Sequence, residues 1–244
     1  MSFAIIRNTK YKRENLKGIY RHNERKNKNY SNDNIDKEKS YLNYSLKSSK
    51  YRYDKEFDIM KEKYGVIDIL VNDAGFGTCG KFTETNLDKE LGMIDTNVVA
   101  LHILTKLFLI DMVEKDNGHI LNVASIAGFM PGPLMATYYS TKSYVVRLTQ
   151  SIRQELFMQG SHVKISALCP GPVKTNFNKV ADVKFNLAEA DSKFVAKYAV
   201  KLMFKNRTLI FPSFFIWIGR ILAKIFPDQV AAFFCYFAQK RKIV

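Results

Sequence analysis

Between residues 65 and 211, short apolar segments that predict β-strands alternate with longer segments whose apolar residues recur at helical spacing. The predicted strands are 67–71, 119–124, 162–168 and 208–211, and the predicted helices are 87 to about 113, 138–157 and about 191–205. Runs such as Ile-Leu-Val at 69–71 and His-Ile-Leu-Asn-Val at 119–123 are continuous rather than alternating, which is typical of parallel strands covered on both faces. This alternation predicts an α/β domain built on a doubly wound parallel sheet.

The first quarter of the chain has a different composition. Residues 1–64 carry 17 Lys and Arg against 9 Asp and Glu, a net charge of +8, whereas the other 180 residues carry 21 against 14, a net charge of +7. Only Phe3-Ala4-Ile5-Ile6 in this segment resembles a buried strand. We therefore divide the chain into a basic, weakly structured segment, 1–60, and an α/β domain, 61–244. A basic segment suggests weak contact with DNA; a solvated charged face is the alternative.

Three side chains form a candidate catalytic set. Tyr138 and Lys142 are four residues apart at the start of a predicted helix and so share one face. Ser125 follows a predicted strand, at the sheet edge where open α/β folds bind ligands. A lysine ammonium beside a phenol favours the phenolate, which lets the tyrosine exchange a proton with a substrate oxygen while the serine hydroxyl steadies the charge. Tyr139 is the alternative to Tyr138, which would then be a core residue.

The flanking sequence gives this set a family resemblance. Asn72-Asp73-Ala74-Gly75 follows the first predicted strand, Asn97 lies 28 residues before Ser125, and Leu168-Cys169-Pro170-Gly171-Pro172-Val173 with Thr175 follows the third. This order and spacing resemble the short-chain dehydrogenase/reductase family over about 175 residues. The resemblance implies a Rossmann-like fold and oxidoreduction of a small carbonyl or alcohol with NAD or NADP.

The resemblance also implies roles for individual residues. Tyr138 would be the general acid/base, Ser125 would position the substrate carbonyl, and Lys142 would lower the pKa of Tyr138 and hold the nicotinamide ribose. Asn97 would hold a water in the proton relay. The remaining matched residues would contact the cofactor: Asn72, Ala74 and Gly75 beside the adenine ribose, and Pro170, Gly171, Val173 and Thr175 over the nicotinamide. For each of these residues the alternative role is structural.

The family's opening strand and its glycine-rich turn, which binds the cofactor pyrophosphate through backbone N–H groups, are missing upstream of Asn72. The acidic or basic residue that selects NAD or NADP after the second strand is missing too. The sequence therefore predicts an incomplete sheet, with the 67–71 strand unpaired on one side unless another segment covers it. It also predicts that cofactor binding and activity are impaired or lost.

Residues 1 to about 60 have a second resemblance. Segments around Phe3, Tyr20-Arg21-His22-Asn23-Glu24-Arg25 and Ser40-Tyr41 resemble the start of Mob/Pre plasmid mobilisation proteins, in which His22 would correspond to a candidate nucleophile. Tyr41 stands where a His is usual and the later His-rich motif is absent, so DNA nicking is not expected. A mobilisation fragment or an inactive fusion, joined near residues 55–64, is the alternative to an enzyme.

The tail from about 209 to 244 is strongly apolar and ends in Lys240-Arg241-Lys242. Pro212, Arg220 and Lys224 interrupt the apolar run, which argues against a membrane span. A membrane-surface helix pair, a lid over a lipophilic substrate and a homo-oligomer interface are open interpretations. The three cysteines lack metal-ligand spacing, and no signal peptide is visible, so we expect a cytoplasmic protein without a metal site.

Overall fold

The computed structural model describes residues 3–6, 53–55, 57–175, 177, 181 and 189–240. Five strands form one sheet in the order β1 to β5: β1 Phe3–Ile6, β2 Ile69–Asn72, β3 His119–Val123, β4 Lys164–Leu168 and β5 Leu209–Ile210. β2 to β5 are parallel to one another. The predicted parallel sheet is confirmed, and the four predicted strands differ from the observed ones by at most two residues at either end.

β1 lies at the edge of the sheet and runs antiparallel to β2. In their register Phe3 stands opposite Asn72 and Ile6 opposite Ile69. The prediction that Phe3–Ile6 forms a strand is confirmed. β1 therefore pairs with the edge of β2, the strand that was expected to be unpaired on one side. An unpaired edge would leave backbone donors and acceptors open to other chains.

Helices connect the strands and cover both faces of the sheet. They are α1 57–64, α2 Leu87–Ile94, α3 Leu101–Glu114, α4 Ala136–Met158, α5 Ser192–Phe204, α6 Phe214–Ile225 and α7 Asp228–Lys240. The predicted helix 87–113 is two α-helices joined through a π-helical segment, Asp95–Ala100. A short 310 turn, Ile126–Phe129, follows β3.

Alternate residues along the strands point to opposite faces, and each face is buried against helices. Leu70, Ile120 and Ile165 pack with Leu104 and Phe108 of α3. Ile69, Leu121 and Leu168 of the other face pack with Val195, Ala199 and Met203 of α5. Burying both faces explains why consecutive positions such as Ile69, Leu70 and Val71 are apolar.

The long helical run from Leu87 to Glu114 is apolar and long enough to cross a membrane, by length and composition alone. Its buried residues, including Leu104, Phe108 and Met112, belong instead to the core between this run and the sheet. That packing accounts for the buried part of this apolar composition.

The predicted boundary at residues 60 and 61 falls inside α1. Phe57 and Met60 of this helix are buried in the same core as α3, and β1 belongs to the same sheet as β2. Most of the segment 1–60, including His22 and Tyr41 of the mobilisation hypothesis, lies outside the described residues, as do the last residues of the tail, 241–244.

Candidate active site

Ser125 and Pro170 meet where β3 and β4 end. The Ala124 N–H donates to Leu168 O at 2.8 Å, and the Ile126 N–H donates to Pro170 O at 2.9 Å, so the two strand ends are joined beyond the sheet. The Ser125 Oγ accepts from the Ala127 N–H at 3.1 Å and lies 3.4 Å from Pro170 O. This capping arrangement fixes the Ser125 hydroxyl at the carboxyl edge of the sheet, as predicted, and gives the Pro170 carbonyl a structural role.

Tyr138 and Lys142 lie in the first two turns of α4, on one face of the helix. Lys142 is buried, and its Nζ donates a 2.8 Å hydrogen bond to Val123 O. The same Nζ lies 5.9 Å from the centroid of the Tyr138 ring. The nearby Ser125 side chain lowers the pKa of the Tyr138 phenol. The structure therefore brings Ser125, Tyr138 and Lys142 together.

The electrostatics of this set differ from the expectation that Lys142 lowers the tyrosine pKa. Burial raises the pKa of Tyr138 to about 12, and the interaction with Ser125 opposes this only in part. Burial also lowers the pKa of Lys142 to about 8, while the nearby Asp73 acts in the opposite direction. The physical reason is desolvation, which disfavours the charged form of each group and outweighs the attraction between them.

Tyr139, the alternative acid, points away from this set. Its hydroxyl accepts a hydrogen bond from Gln239 Nε2 and lies 3.5 Å from Cys235 Sγ, both on α7. Burial raises the pKa of Tyr139 above its ordinary value. Tyr139 therefore anchors the C-terminal helix, and Tyr138 is the tyrosine whose pKa responds to Ser125.

Asn97 lies in the π-helical segment and is fully buried. Its Oδ1 accepts from the Phe76 N–H at 3.1 Å, while its Nδ2 donates to Phe76 O at 2.9 Å and to Thr141 Oγ1 at 3.1 Å. These contacts tie the turn after β2 to α4. A π-helical segment has about one residue more per turn than an α-helix. Such segments are rare and frequently occur at functional sites.

Gly75 fits against this pair of side chains. A Cβ at Gly75 would lie 3.1 Å from Asn97 Oδ1 and 3.2 Å from Lys142 Nζ. Gly75 is exposed on its other side and Ala74 is half-buried. The turn after β2 therefore brings its backbone close to Lys142 and remains open to solvent.

Asn72 belongs to a buried polar chain that crosses the sheet. Its Nδ2 donates to Thr105 Oγ1 at 3.0 Å and to Asn122 Oδ1 at 2.8 Å, and Asn122 Nδ2 donates in turn to Thr149 Oγ1 at 3.0 Å. The chain links β2 and β3 to α3 and α4. These contacts match the structural alternative for Asn72.

The loop after β4 places its predicted residues in different surroundings. Val173 pairs with Ala190 and packs against the core under α5. Thr175 is exposed, and its Oγ1 accepts from the Phe177 N–H at 3.2 Å. Gly171 faces α6, where a Cβ would lie 3.0 Å from Ile216 Cδ1. The described contacts of these three residues are therefore with the scaffold.

Sequence reasoning missed two residues beside Tyr138. The Phe177 ring lies 5.3 Å from the Tyr138 ring, centroid to centroid. A Cβ at Gly77 would lie 2.9 Å from Phe177 and 3.2 Å from Tyr138. Gly77 is the last residue of the turn after β2, and its position next to the matched Gly75 was the available signal. Among the described residues, no group of three or more His, Cys, Asp or Glu side chains is arranged to hold a metal ion.

Comparison with known proteins agrees with this geometry. The sequence profile of the short chain dehydrogenase family matches residues 19–184, which include Ser125, Tyr138 and Lys142. An uncharacterized oxidoreductase of Staphylococcus epidermidis is 37% identical over 122 residues, which are 50% of this chain and 52% of the relative. One from Staphylococcus aureus is 33% identical over 128 residues, 52% of this chain and 54% of the relative. The chain thus spans about half the length of these curated relatives.

Solved structures share the fold. A short chain dehydrogenase/reductase from Burkholderia phymatum in complex with NAD superposes with a TM-score of 0.64 at 23% identity, covering 71% of this chain and 70% of that one. A short-chain dehydrogenase from Sphingobium yanoikuyae in complex with NADPH gives 0.59 at 24% identity, covering 69% of this chain and 63% of that one. With the family profile matched over more than half of its length, this chain belongs to the short chain dehydrogenase family.

Proposed function

We propose that the chain is an oxidoreductase that interconverts a small carbonyl compound and its alcohol with NAD or NADP. The observation that carries the proposal is the meeting of Ser125 and Tyr138 at the carboxyl edge of the sheet, with Lys142 behind them. Relatives described as oxidoreductases support it. The residues proposed to take part in the chemistry are Ser125, Tyr138, Lys142 and Asn97.

The turn after β2 fits one part of a nicotinamide cofactor. Gly75 leaves its Cβ position empty beside Lys142 Nζ, so a ribose hydroxyl has an open approach to the ammonium. The two structural neighbours described above were solved with NAD and with NADPH. When bound, the nicotinamide would supply or accept the hydride at the substrate carbon. Ala74 and Gly75 would lie beside the adenine ribose of the cofactor in this proposal, with Asn72 and Pro170 holding their strands behind them.

The proton chemistry follows from the electrostatics of the site. Because burial holds the pKa of Tyr138 near 12, its phenol is protonated at neutral pH and serves as a donor to a carbonyl oxygen. Ser125 keeps its hydroxyl at the same place through the Ala127 contact, ready to donate to that oxygen. The protonated phenol is the form that reduction of a carbonyl requires.

Asn97 and Lys142 organise the site in this proposal. Asn97 holds the Phe76 backbone against α4, which sets the distance between the turn after β2 and Tyr138. Lys142 is anchored on Val123 O and keeps two further N–H groups for a ligand or water. A water bound near Asn97 would connect Lys142 to solvent, which is the relay that the family resemblance implies.

Cofactor affinity is the weak point of this function. The chain has no Thr-Gly-x-x-x-Gly-x-Gly segment upstream of Asn72, so the pyrophosphate lacks the backbone N–H cradle that such a turn provides. We propose a low cofactor affinity and correspondingly reduced turnover. A cytoplasmic location is part of the same proposal. So is a lipophilic carbonyl substrate, since Phe177 and Gly77 lie beside Tyr138.

We also propose that the chain divides into two parts at residues 60 and 61. In this proposal segment 1–60 originates from a mobilisation protein. The family profile extends upstream of this boundary, to residue 19. Sequencing of the transcript across codons 55–70 tests the fusion, and a continuous message excludes an assembly artefact. Residues 7–52 of that segment lie outside the described residues, and we propose no DNA-directed activity for them.

Titration of the purified full chain with NADH and NADPH tests the proposed function. We expect a change in nicotinamide fluorescence at millimolar cofactor or below, and slow reduction of aromatic or aliphatic ketones. Tyr138→Phe should remove turnover while leaving cofactor binding largely intact. The matched control is Tyr139→Phe, which removes a phenol from the adjacent position but leaves Tyr138 and Ser125 in place. Absence of binding by either cofactor, or full turnover by Tyr138→Phe, would contradict the proposal.

A further inference from the structure

The C-terminal helices α6 and α7 each have one face held against the rest of the protein. The guanidinium of Arg220, from α6, lies 5.5 Å from the Phe129 ring centroid and 5.6 Å from that of Phe211. Ile216 of the same helix packs on Gly171. These contacts are cation–π and apolar interactions with the loops that follow β3, β4 and β5. They fix which side of α6 faces inward.

α7 is held by polar contacts instead. Gln239 and Cys235 are buried, and both side chains reach the hydroxyl of Tyr139 on α4. Residues 235 and 239 are one helical turn apart and so lie on one face. These contacts therefore show which face of α6 and of α7 packs against the rest of the protein. The remaining residues of both helices face outward.

The outward faces carry an unusual amount of aromatic surface. Ten of the 22 large hydrophobic side chains that are exposed among the described residues lie between residues 214 and 237. We call their most prominent members the aromatic patch: Phe214, Phe215, Trp217, Ile225, Phe233 and Phe234. Phe215 is 82% exposed and Phe234 is 68% exposed. Soluble monomers rarely expose apolar side chains at this density without a partner.

The charge around the patch indicates which partner. From Pro212 to the C-terminus the sequence has five basic residues, Arg220, Lys224, Lys240, Arg241 and Lys242, and one acidic residue, Asp228. Arg220 faces inward, and the other four basic residues with Asp228 give this segment of the sequence a net charge of +3, which is complementary to anionic phospholipid headgroups. The same charge opposes close contact with a second copy of this face, because both copies would carry the same sign.

The length of the helices sets how they would meet a membrane. α6 has 12 residues and α7 has 13, which gives each a length of about 18–20 Å at 1.5 Å per residue. This is well short of the ~30 Å hydrocarbon core of a bilayer. Each helix would therefore lie in the plane of the interface, with aromatic side chains directed towards the acyl chains.

We propose that α6 and α7 dock this protein onto the surface of an anionic phospholipid bilayer through the aromatic patch. Phe215 and Phe234 enter the boundary between headgroups and acyl chains, and the exposed Lys240 at the end of α7 contacts the headgroup phosphates. Because Tyr139 joins α7 to the helix that carries Tyr138, the docked face is coupled to the candidate active site.

Trp217 provides a direct test, since it is the only tryptophan in the chain and belongs to the aromatic patch. The full-length protein, without cofactor, is mixed with vesicles of phosphatidylcholine alone and with vesicles that also contain phosphatidylglycerol. We expect a blue shift of Trp217 emission and co-sedimentation with the anionic vesicles, both weakened by high salt. Phosphatidylcholine alone should give little of either. This readout does not depend on catalysis, so it separates docking from the proposed function.

Substitutions identify the surface. Phe215→Ser and Phe234→Ser should each weaken vesicle partitioning by about tenfold, since each removes a large apolar side chain that insertion would bury. The matched control is Phe157→Ser, which removes a phenylalanine that is 69% exposed at the end of α4 and should leave partitioning unchanged. Circular dichroism verifies that the variants are folded.

Two results would overturn the proposal. One is unchanged Trp217 emission with anionic vesicles at low salt. The other is a protein whose mass doubles in light scattering without lipid and returns to the monomer value in Phe215→Ser, because the patch would then be an interface between copies.

Discussion

The Nζ of Lys142 donates a 2.8 Å hydrogen bond to the carbonyl oxygen of Val123, the last residue of β3. A charged side chain from one helix thus satisfies a backbone acceptor at the end of the central strand. The position is buried, and burial depresses the pKa of the ammonium to about 8. Lys142 therefore joins α4 to the sheet at a cost in desolvation. We expect the fold to be more stable with an apolar side chain at this position.

Lys142→Met should stabilise the protein near neutral pH. The lysine pKa falls from 10.5 to about 8 on folding, which corresponds to a cost of about 3 kcal/mol at pH 7, and the lost hydrogen bond offsets about 1 kcal/mol of that. We expect a net gain of about 2 kcal/mol in the free energy of unfolding, measured by urea titration. Lys106→Met, at an exposed site on α3, is the matched control.

The same substitution has a defined pH dependence. Between pH ~8 and pH 10.5 the unfolded wild-type chain keeps a proton on Lys142 that the folded chain has lost, so this residue makes wild-type stability increase with pH across that window. The advantage of Lys142→Met should shrink over the same interval. An advantage that stayed constant from pH 7 to pH 10 would show that burial of the ammonium is not its source.

Tyr138 should ionise far above the usual range for a phenol. Its pKa of about 12 means that about a tenth of Tyr138 is phenolate at pH 11, compared with about nine-tenths of an ordinary tyrosine. Ultraviolet titration of wild type minus Tyr138→Phe isolates this one phenol. A difference spectrum that is complete by pH 10 would exclude the raised pKa.

Gly128→Ala should destabilise the protein and displace the turn that follows Ser125. A Cβ at Gly128 would lie 2.6 Å from Lys142 O and 2.8 Å from Val146 Cγ2, so α4 must move away from the 310 turn. We expect a loss of about 1–3 kcal/mol by thermal or urea unfolding. Gly219→Ala is the control, because its Cβ meets nothing within 4 Å, and a helix gains about 0.5–1 kcal/mol from this change.

Asp116→Asn should lower the Tm of the protein at pH 6 and leave the Tm unchanged near pH 2. The carboxylate accepts from the His162 N–H at 2.7 Å and from Ser161 Oγ at 3.0 Å, and its Oδ2 lies 2.6 Å from His162 Nδ1. These contacts lower the Asp116 pKa to about 2.

A lowered carboxylate pKa stabilises the folded state above the unfolded value of 3.8, and the stabilisation is lost as pH falls towards 2. The difference in Tm between the two proteins should close over that window. Ser161→Ala removes one donor and should show a smaller difference with the same pH dependence.

The strands and their parallel pairing could be predicted because they depend on local composition. A strand buried on both faces tends to be apolar at consecutive positions, as Ile69-Leu70-Val71 is. The π-helical segment around Asn97 could not be predicted, since its sequence has ordinary helical spacing. The role of this segment is visible only in the contacts of Asn97 with Phe76 and Thr141, which are distant from it in the sequence.

The family motif placed the candidate site in the sequence, but not its electrostatics. Spacing puts Tyr138 and Lys142 on one face, yet it does not reveal how deeply either is buried, and burial determines both pKa shifts. The choice between Tyr138 and Tyr139 likewise depended on Cys235 and Gln239, about a hundred residues away.

The antiparallel pairing of β1 with β2 has a consequence for how the chain folds. β1 leaves the ribosome first, but its partner strand begins more than sixty residues later. Such a contact closes a long loop and forms slowly compared with helices or hairpins. Until it closes, the outer edge of β2 can recruit strands from neighbouring chains. Co-expression at low temperature, or a solubilising partner fused ahead of Met1, should therefore improve the yield of folded protein.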